Sequence, residues 1–138
     1  MTRVDLVAPP FAGHLHPILG VARRLRDEHE VRVISTEAAQ RAIAAAGFEG
    51  VSLLAGCDAA ITAIADPPRP VGSNPLRLHQ QLRANLALLD RFQAELRHLW
   101  TDQRPQLLLA DFTLPVAGLV ARELGIPWWT THPSPCVI

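Results

Sequence analysis

Residues 3–36 read RVDLVAPPFAGHLHPILGVARRLRDEHEVRVIST. The apolar run from Arg3 to Pro9 ends at two prolines, which is typical of a strand that is buried on both faces. After a turn that holds glycine and two histidines, Pro17 suits the first turn of a helix, and apolar residues recur at helical spacing up to Asp27. The segment VRVIST predicts a second strand. This stretch therefore indicates two parallel strands that are joined by a helix.

The rest of the chain continues the alternation of helices and strands. The segment EAAQRAIAAAG (37–47) predicts a helix that ends at Gly47, and FEGVSLL (48–54) predicts a third strand. Residues 55–74 are rich in proline and show little periodicity, which predicts a loop. PQLLLAD (105–111), PVAGLVARELG (115–125) and IPWWTT (126–131) predict a fourth strand, a helix and a fifth strand.

A long helix is predicted between that loop and the fourth strand. Ser73 or Asn74 can cap it, and Pro75 suits its first position. Its apolar residues lie on one stripe along the helix; they are Leu78, Leu82, Leu86, Leu89, Phe92, Leu96 and Leu99. Asn85 falls within this stripe, either at its margin or aimed into a ligand cleft.

Strands that alternate with helices predict an α/β fold, with an open, doubly wound parallel sheet of the Rossmann-like kind. The usual strand order for such a sheet is three, two, one, four, five. The chain has 138 residues, of which 49% are hydrophobic, and this amount suits one domain with a single core.

Composition limits the classes of partner. Thirteen basic and thirteen acidic side chains balance, and neither sign forms a long block, so no surface for nucleic acid or for an anionic membrane is indicated. A neutral small molecule is the expected partner. Cys57 and Cys136 are far apart, and no leader or membrane-spanning run is evident, so we expect two reduced, buried thiols in a cytoplasmic protein.

Two polar residues follow strands that the predicted topology makes neighbours. His14 comes after the first strand and Asp111 ends the fourth, so both are expected at the crevice where the strand order reverses. An imidazole beside a carboxylate is an arrangement that takes a proton from a hydroxyl. Spacing alone also allows His14 to satisfy backbone groups of the turn, and it allows Asp111 to cap the next helix.

The residues of this turn also bear on other kinds of site. Neither the Gly-x-Gly-x-x-Gly pattern of dinucleotide sites nor the Gly-Lys-Ser/Thr pattern of nucleoside triphosphatases is present. His14 and His16 on an extended segment would face one metal ion, with His132 and Asp111 as further ligands, as in a metal-dependent hydrolase.

Two stretches of the chain resemble family-one glycosyltransferases with the GT-B fold, close to the bacterial enzymes that modify natural products such as antibiotics. One is FAGHLHPILGVARRLRDEHEVRVIST, with its Gly-His-x-x-Pro pattern, and the other is PQLLLADFTLPVAGLVARELGIPWW. The resemblance covers about half of the chain. It implies that His14 is the general base that deprotonates a hydroxyl of the acceptor, and that Asp111 orients it.

The resemblance further implies an inverting transfer of a sugar from a dTDP- or UDP-sugar donor to a natural-product acceptor, with no other cofactor and no metal. In this family the amino-terminal domain binds the acceptor. The residues expected to contact the acceptor are Phe11, Gly13, Leu15, His16, Asn85, Phe92 and Thr113.

Family members are close to three times as long as this chain, and the carboxyl-terminal domain that holds the sugar nucleotide has no counterpart in residues 1–138. We therefore expect residues 1–138 to be an incomplete acceptor-binding domain that is inactive alone. A homo-oligomer or a pairing with a carboxyl-terminal half are the expected assemblies. The alternative is a non-catalytic module that binds a small molecule or a partner.

Overall fold

One sheet of five parallel strands lies at the centre of the computed structural model, which describes residues 1–132. The strands are β1 (Thr2–Val7), β2 (His29–Ser35), β3 (Glu49–Ser52), β4 (Leu107–Asp111) and β5 (Trp128–Thr131). The helices are α1 (Ala12–Leu25), α2 (Gln40–Ala45), α3 (Asp58–Ala65), α4 (Pro75–Asp102) and α5 (Pro115–Glu123), and a 3₁₀ turn (Glu37–Ala39) precedes α2.

The strand order is β3-β2-β1-β4-β5, which confirms the predicted α/β fold and its topology. β1 lies between β2 and β4, and in the register with β4 Val7 pairs with Ala110. The strand order thus reverses between β1 and β4, and residues that follow these two strands meet at one edge of the sheet.

Helices cover both faces of the sheet and form two hydrophobic clusters. On one face, α1 and α2 pack through residues such as Leu15, Ile18 and Ile43. On the other face, α4 and α5 pack through residues such as Leu96 and Val120. Because both faces are covered, the central strands β1, β2 and β4 are mostly apolar, and the buried charges Asp5 and Arg32 are exceptions.

Helix α1 begins five residues earlier than the predicted first turn at Pro17. The carbonyl of Phe11 accepts hydrogen bonds from the backbone N–H groups of His14 and Leu15, and the helix then continues through Pro17. The proline removes the hydrogen bond to the carbonyl of Gly13, and burial of the apolar face of α1 offsets that loss. His14 and His16 therefore lie on a helix and not in a turn.

The predicted loop at residues 55–74 was wrong in part, because residues Asp58–Ala65 form α3. The apolar residues Ile61, Ile64 and Ala65 have helical spacing within an otherwise irregular stretch. Two glycines confirm the predicted helix ends, since Gly47 and Gly125 have φ of +84° and +68°.

The start of α4 confirms the predicted cap. The side-chain oxygen of Asn74 accepts from the backbone N–H groups of Leu76 and Arg77, at 3.0 and 3.2 Å, and Pro75 is the first helical residue. The stripe is buried only in part, because Phe92 and Leu96 are buried whereas Leu78, Leu82 and Leu86 are more than half exposed.

The exposure of this half of α4 follows from its length. A helix of 28 residues spans about 42 Å, whereas a strand of five residues spans about 17 Å. The helix therefore extends beyond the carboxyl edge of the sheet, and three of its leucines have no strand beneath them. We refer to Leu78, Leu82 and Leu86 as the leucine row.

A buried polar network ties the far end of α4 to the sheet. Arg32 on β2 donates two hydrogen bonds to the carboxylate of Asp5 on β1, at 3.0 and 2.7 Å, and the indole N–H of Trp100 donates to the same carboxylate at 2.8 Å. At the surface, a hydrogen bond from Arg97 lowers the pKa of the Glu123 carboxyl and links α4 to α5. Together, the contact of Trp100 with β1 and the contact of Arg97 with α5 position the end of α4.

Two further features bear on the sequence predictions. Cys57 is a free thiol that is half-buried, so its predicted full burial was wrong, and its Sγ accepts a hydrogen bond from Arg91 at 2.9 Å. Cys136 lies outside the described residues. Among residues 1–132, no helix is both long and apolar enough to cross a bilayer.

Candidate functional site

The site is built around a contact between two residues that are 97 positions apart. His14 lies in the first turn of α1, directly after β1, and Asp111 is the last residue of β4. The Nδ1 atom of His14 lies 3.0 Å from Oδ2 of Asp111. The predicted neighbourhood of these two side chains is therefore observed, and it follows from the adjacency of β1 and β4.

The two partners differ in burial. The Asp111 side chain is 1% exposed, whereas the His14 side chain is 25% exposed. A buried carboxylate needs several donors, and its second oxygen, Oδ1, accepts from the backbone N–H of Thr113 at 2.9 Å and from the Thr113 hydroxyl at 2.5 Å. Asp111 does not cap α5, whose first residues have no side-chain cap.

A cavity of about 380 Å³ opens beside His14. Its walls come from the segments that follow β1, β2, β3 and β4, together with α3 and the middle of α4. Most of the lining is apolar, and the polar residues in it are His14, Thr36, Asn85 and Thr113. The other lining residues are Ala8, Pro9, Pro10, Phe11, Leu54, Ile61, Ile64, Ala65, Leu88, Leu89, Phe92 and Leu114.

Four of the seven predicted contact residues line this cavity, namely Phe11, Asn85, Phe92 and Thr113. The other three do not.

The helix α1 turns Leu15, Gly13 and His16 away from the cavity, because these residues belong to a helix and not to a loop. Leu15 is 3% exposed in the cluster between α1 and the sheet. Gly13 and His16 lie on the exposed side of the same helix, outside the cavity lining. Successive helical residues are about 100° apart, so the side chains on either side of His14 are turned away from the cavity.

The same geometry corrects the metal-site alternative. His14 and His16 are two helical positions apart, which is about 200° around the axis, so their imidazoles cannot face one ion as they would on an extended segment. His132 stacks on Phe112 with ring centroids 4.9 Å apart. Within residues 1–132 no group of three or more histidine, cysteine, aspartate or glutamate side chains is arranged to hold a metal.

One wall of the cavity was missed by sequence reasoning. Ile61, Ile64 and Ala65 of α3 lie in the stretch that was predicted to be a loop. Their spacing of three and four residues is the signal that would have revealed the helix.

The segment before α3 is fastened to α4 by polar contacts. Leu54 lines the cavity and has a left-handed backbone, with φ of +58°, which is strained for a leucine. Its backbone N–H donates to Glu95 at 3.0 Å, and Arg91 donates to the carbonyl of Ala55 at 3.0 Å. These contacts from one turn of α4 hold Leu54 against the cavity.

Comparison with known proteins identifies structural neighbours. The glycotransferase of kitacinnamycin superposes with a TM-score of 0.74 at 23% identity, over 96% of this chain and 30% of that chain. SsfS6, a glycosyltransferase from Streptomyces sp. SF2575, gives 0.72 at 24% identity, over 94% of this chain and 39% of that one. The glycosyltransferase SnogD from Streptomyces nogalater superposes with a TM-score of 0.73 at 21% identity, over 98% of this chain and 35% of that chain.

The chain has the fold of part of these glycosyltransferases. It spans less than two fifths of the length of each of them. SsfS6 has also been solved in complex with thymidine diphosphate. No protein-family model and no curated protein matches the chain.

Proposed function

We propose that this chain is the acceptor-binding part of an inverting glycosyltransferase, in which His14 is the general base. The observation that carries the proposal is the contact of His14 with a buried carboxylate at the opening of a largely apolar cavity. The fold that the chain shares with bacterial glycosyltransferases supports it. We further propose a bacterial source and a cytoplasmic location.

The chemistry assigned to the pair is a proton transfer that accompanies substitution at carbon. The Nε2 atom of His14 takes the proton of an acceptor hydroxyl, whose oxygen attacks the anomeric carbon of the donor sugar. The bond from that carbon to the diphosphate breaks, and the nucleoside diphosphate leaves with the electron pair, which inverts the configuration. Asp111 stabilises the imidazolium that forms, and a positioned base of this kind contributes about 10²- to 10⁴-fold in rate.

The cavity suits a neutral, mostly apolar acceptor. Its volume of about 380 Å³ lies within the range of roughly 300–1,000 Å³ that is usual for small-molecule sites. Its polar residues His14 and Asn85 stand on separate elements, α1 and α4, so an acceptor can be oriented at two points. A charged acceptor would lose its hydration without gaining a paired charge from the lining.

The donor is proposed to be a dTDP- or UDP-sugar that is held by a second domain. Support comes from the thymidine diphosphate bound to SsfS6 and from the share of the neighbours' length that this chain leaves uncovered. We therefore expect residues 1–138 to bind acceptor and to transfer no sugar alone.

The test is a chimera in which this chain replaces the matching segment of SsfS6, assayed with dTDP-glucose and a panel of neutral phenols and alcohols. His14→Ala is expected to lower kcat by about 10²-fold or more, because the base is lost. His16→Ala is the matched control, since this exposed histidine is on the same helix and outside the cavity. Comparable turnover for wild type and His14→Ala, or an equal loss with His16→Ala, would refute the assignment.

The leucine row favours a second candidate, a non-catalytic module that binds a partner. Leu78, Leu82 and Leu86 present apolar surface in succession along α4. Under this hypothesis, changing all three to glutamine would abolish association with a partner or with a second copy, measured by sedimentation, while His14→Ala would have no effect on it.

A further inference from the structure

We propose that Thr113 is a positioning residue, which fixes the orientation of the Asp111 carboxylate and through it the tautomer of His14. The inference rests on the proposed role of His14 as a base. It assigns to Thr113 a part other than the acceptor contact that the sequence predicted.

The two oxygens of Asp111 are divided between two partners. Oδ2 lies 3.0 Å from Nδ1 of His14. Oδ1 accepts two hydrogen bonds from Thr113, from the backbone N–H at 2.9 Å and from the hydroxyl at 2.5 Å. A carboxylate is planar and turns about a single bond, so two donors on Oδ1 hold Oδ2 toward the imidazole.

This orientation determines which imidazole nitrogen carries the proton. An ionised carboxylate only accepts hydrogen bonds, so Nδ1 of His14 must be the donor in their contact. In the neutral ring, Nε2 then has the free lone pair that a general base needs. A free imidazole side chain in water favours the opposite tautomer, with the proton on Nε2, so the contact with Asp111 works against the intrinsic preference.

The Thr113 hydroxyl is already committed by this contact. It donates its single hydrogen to Asp111, so toward a ligand it can act as an acceptor only. Thr113 also lines the cavity. Its substitution would nevertheless act on His14 through Asp111, even where Thr113 makes no polar contact with the acceptor.

The experiment records the His14 tautomer in the 138-residue chain without substrate. Histidine is labelled with ¹⁵N, and long-range ¹H–¹⁵N correlations are measured at about pH 9, above the ordinary titration range of histidine. Wild type is expected to show His14 protonated on Nδ1. Thr113→Ser keeps the hydroxyl and is expected to give the same spectrum.

Thr113→Val keeps the shape of the side chain and the backbone N–H but removes the hydroxyl, so the population protonated on Nε2 is expected to rise to at least about a third of the molecules. Thr113→Ala provides a second variant if valine perturbs folding, and backbone amide spectra report the fold of each. An unchanged Nδ1–H tautomer in a folded valine or alanine variant would overturn the positioning role.

Failure of this inference is distinguishable from failure of the proposed function. In the chimera, Thr113→Val is expected to lower kcat by about tenfold, with KM within about twofold and with recovery in Thr113→Ser. A tautomer change without any change in kcat would leave the positioning role intact and would count against His14 as the base. A normal tautomer with reduced kcat would instead refute the positioning role.

Discussion

The Nδ1 atom of His14 lies 3.0 Å from Oδ2 of Asp111, and the carboxylate is almost completely buried while the imidazole keeps a quarter of its surface exposed. The Asp111 carboxylate is therefore shielded from water, and the His14 imidazole is accessible from the cavity. This asymmetry is what the proposed proton transfer requires, since the oriented ring must still reach a ligand.

Replacing the Asp111 carboxylate by an amide keeps the shape of the side chain and changes the hydrogen bond that it makes with His14. In Asp111→Asn the amide can donate to Nδ1 and thereby place the proton on Nε2, so kcat in the chimera is expected to fall roughly 10²- to 10⁴-fold with a small change in KM. Asp90→Asn, on the exposed side of α4, is the matched control and is expected to leave kcat unchanged. A kcat for Asp111→Asn within about threefold of wild type would contradict the role of the pair.

A charge placed in the cavity wall is expected to weaken binding of apolar molecules. Ile61 on α3 lines the cavity, and Ile61→Glu would force an occupant to share the cavity with a poorly hydrated carboxylate. The Kd of the neutral fluorescent probe N-phenyl-1-naphthylamine is expected to rise by about tenfold or more. Ala59→Glu puts the same charge on an exposed position of the same helix, and an equal loss of affinity there would mean that the probe binds elsewhere.

Two glycines in helices are expected to respond to alanine in opposite directions. A Cβ at Gly118 on α5 would lie 2.6 Å from the ring of Trp128, so Gly118→Ala must displace the indole on β5 and is expected to cost about 1–3 kcal/mol in the free energy of unfolding. Gly20 on α1 has no atom within 4 Å of such a Cβ, so Gly20→Ala is expected to stabilise by about 0.5–1 kcal/mol. Urea denaturation measures both, and a stabilising Gly118→Ala would show that β5 packs differently.

The buried ion pair between Asp5 and Arg32, in the middle of β1 and β2, is expected to make the largest polar contribution to stability. Asp5→Asn leaves the Arg32 guanidinium buried without a counter-charge, which is expected to cost about 3–5 kcal/mol. On the same two strands, Glu30 pairs with Arg3 at the surface, and Glu30→Gln is expected to cost less than about 1 kcal/mol. Equal changes in the urea midpoint would argue that water reaches Arg32.

The fold and the contact between His14 and Asp111 were predictable because both depend on the number of strands and on their order in the sheet. Five short apolar runs that alternate with helical segments predict the number of strands, and the usual order of a doubly wound sheet places His14 beside Asp111. Both inferences use elements that are strongly patterned in the sequence. The Thr113 contact depends on the conformation of a short turn, which spacing does not reveal.

The predictions that were wrong concern where helices lie, namely the start of α1 and the presence of α3. Pro17 is a strong local signal for a helix start, yet α1 begins at Ala12, where the Phe11 carbonyl accepts the first helical hydrogen bonds and Leu15 is buried against the sheet. That shift removed Gly13, Leu15 and His16 from the expected contact residues. The exposure of the leucine row was not predicted, because periodicity indicates which side of a helix is apolar and does not indicate where the sheet beneath it ends.

The helical setting of His14 makes the length of the segment after β1 critical. Inserting one residue between Phe11 and His14 would rotate the imidazole by about 100° around the axis of α1 and away from Asp111. Inserting four residues would nearly restore the direction but would move the ring by about 6 Å along the axis. Insertions and deletions in this short segment are therefore expected to abolish the His14–Asp111 contact even where the inserted residues fit the helix.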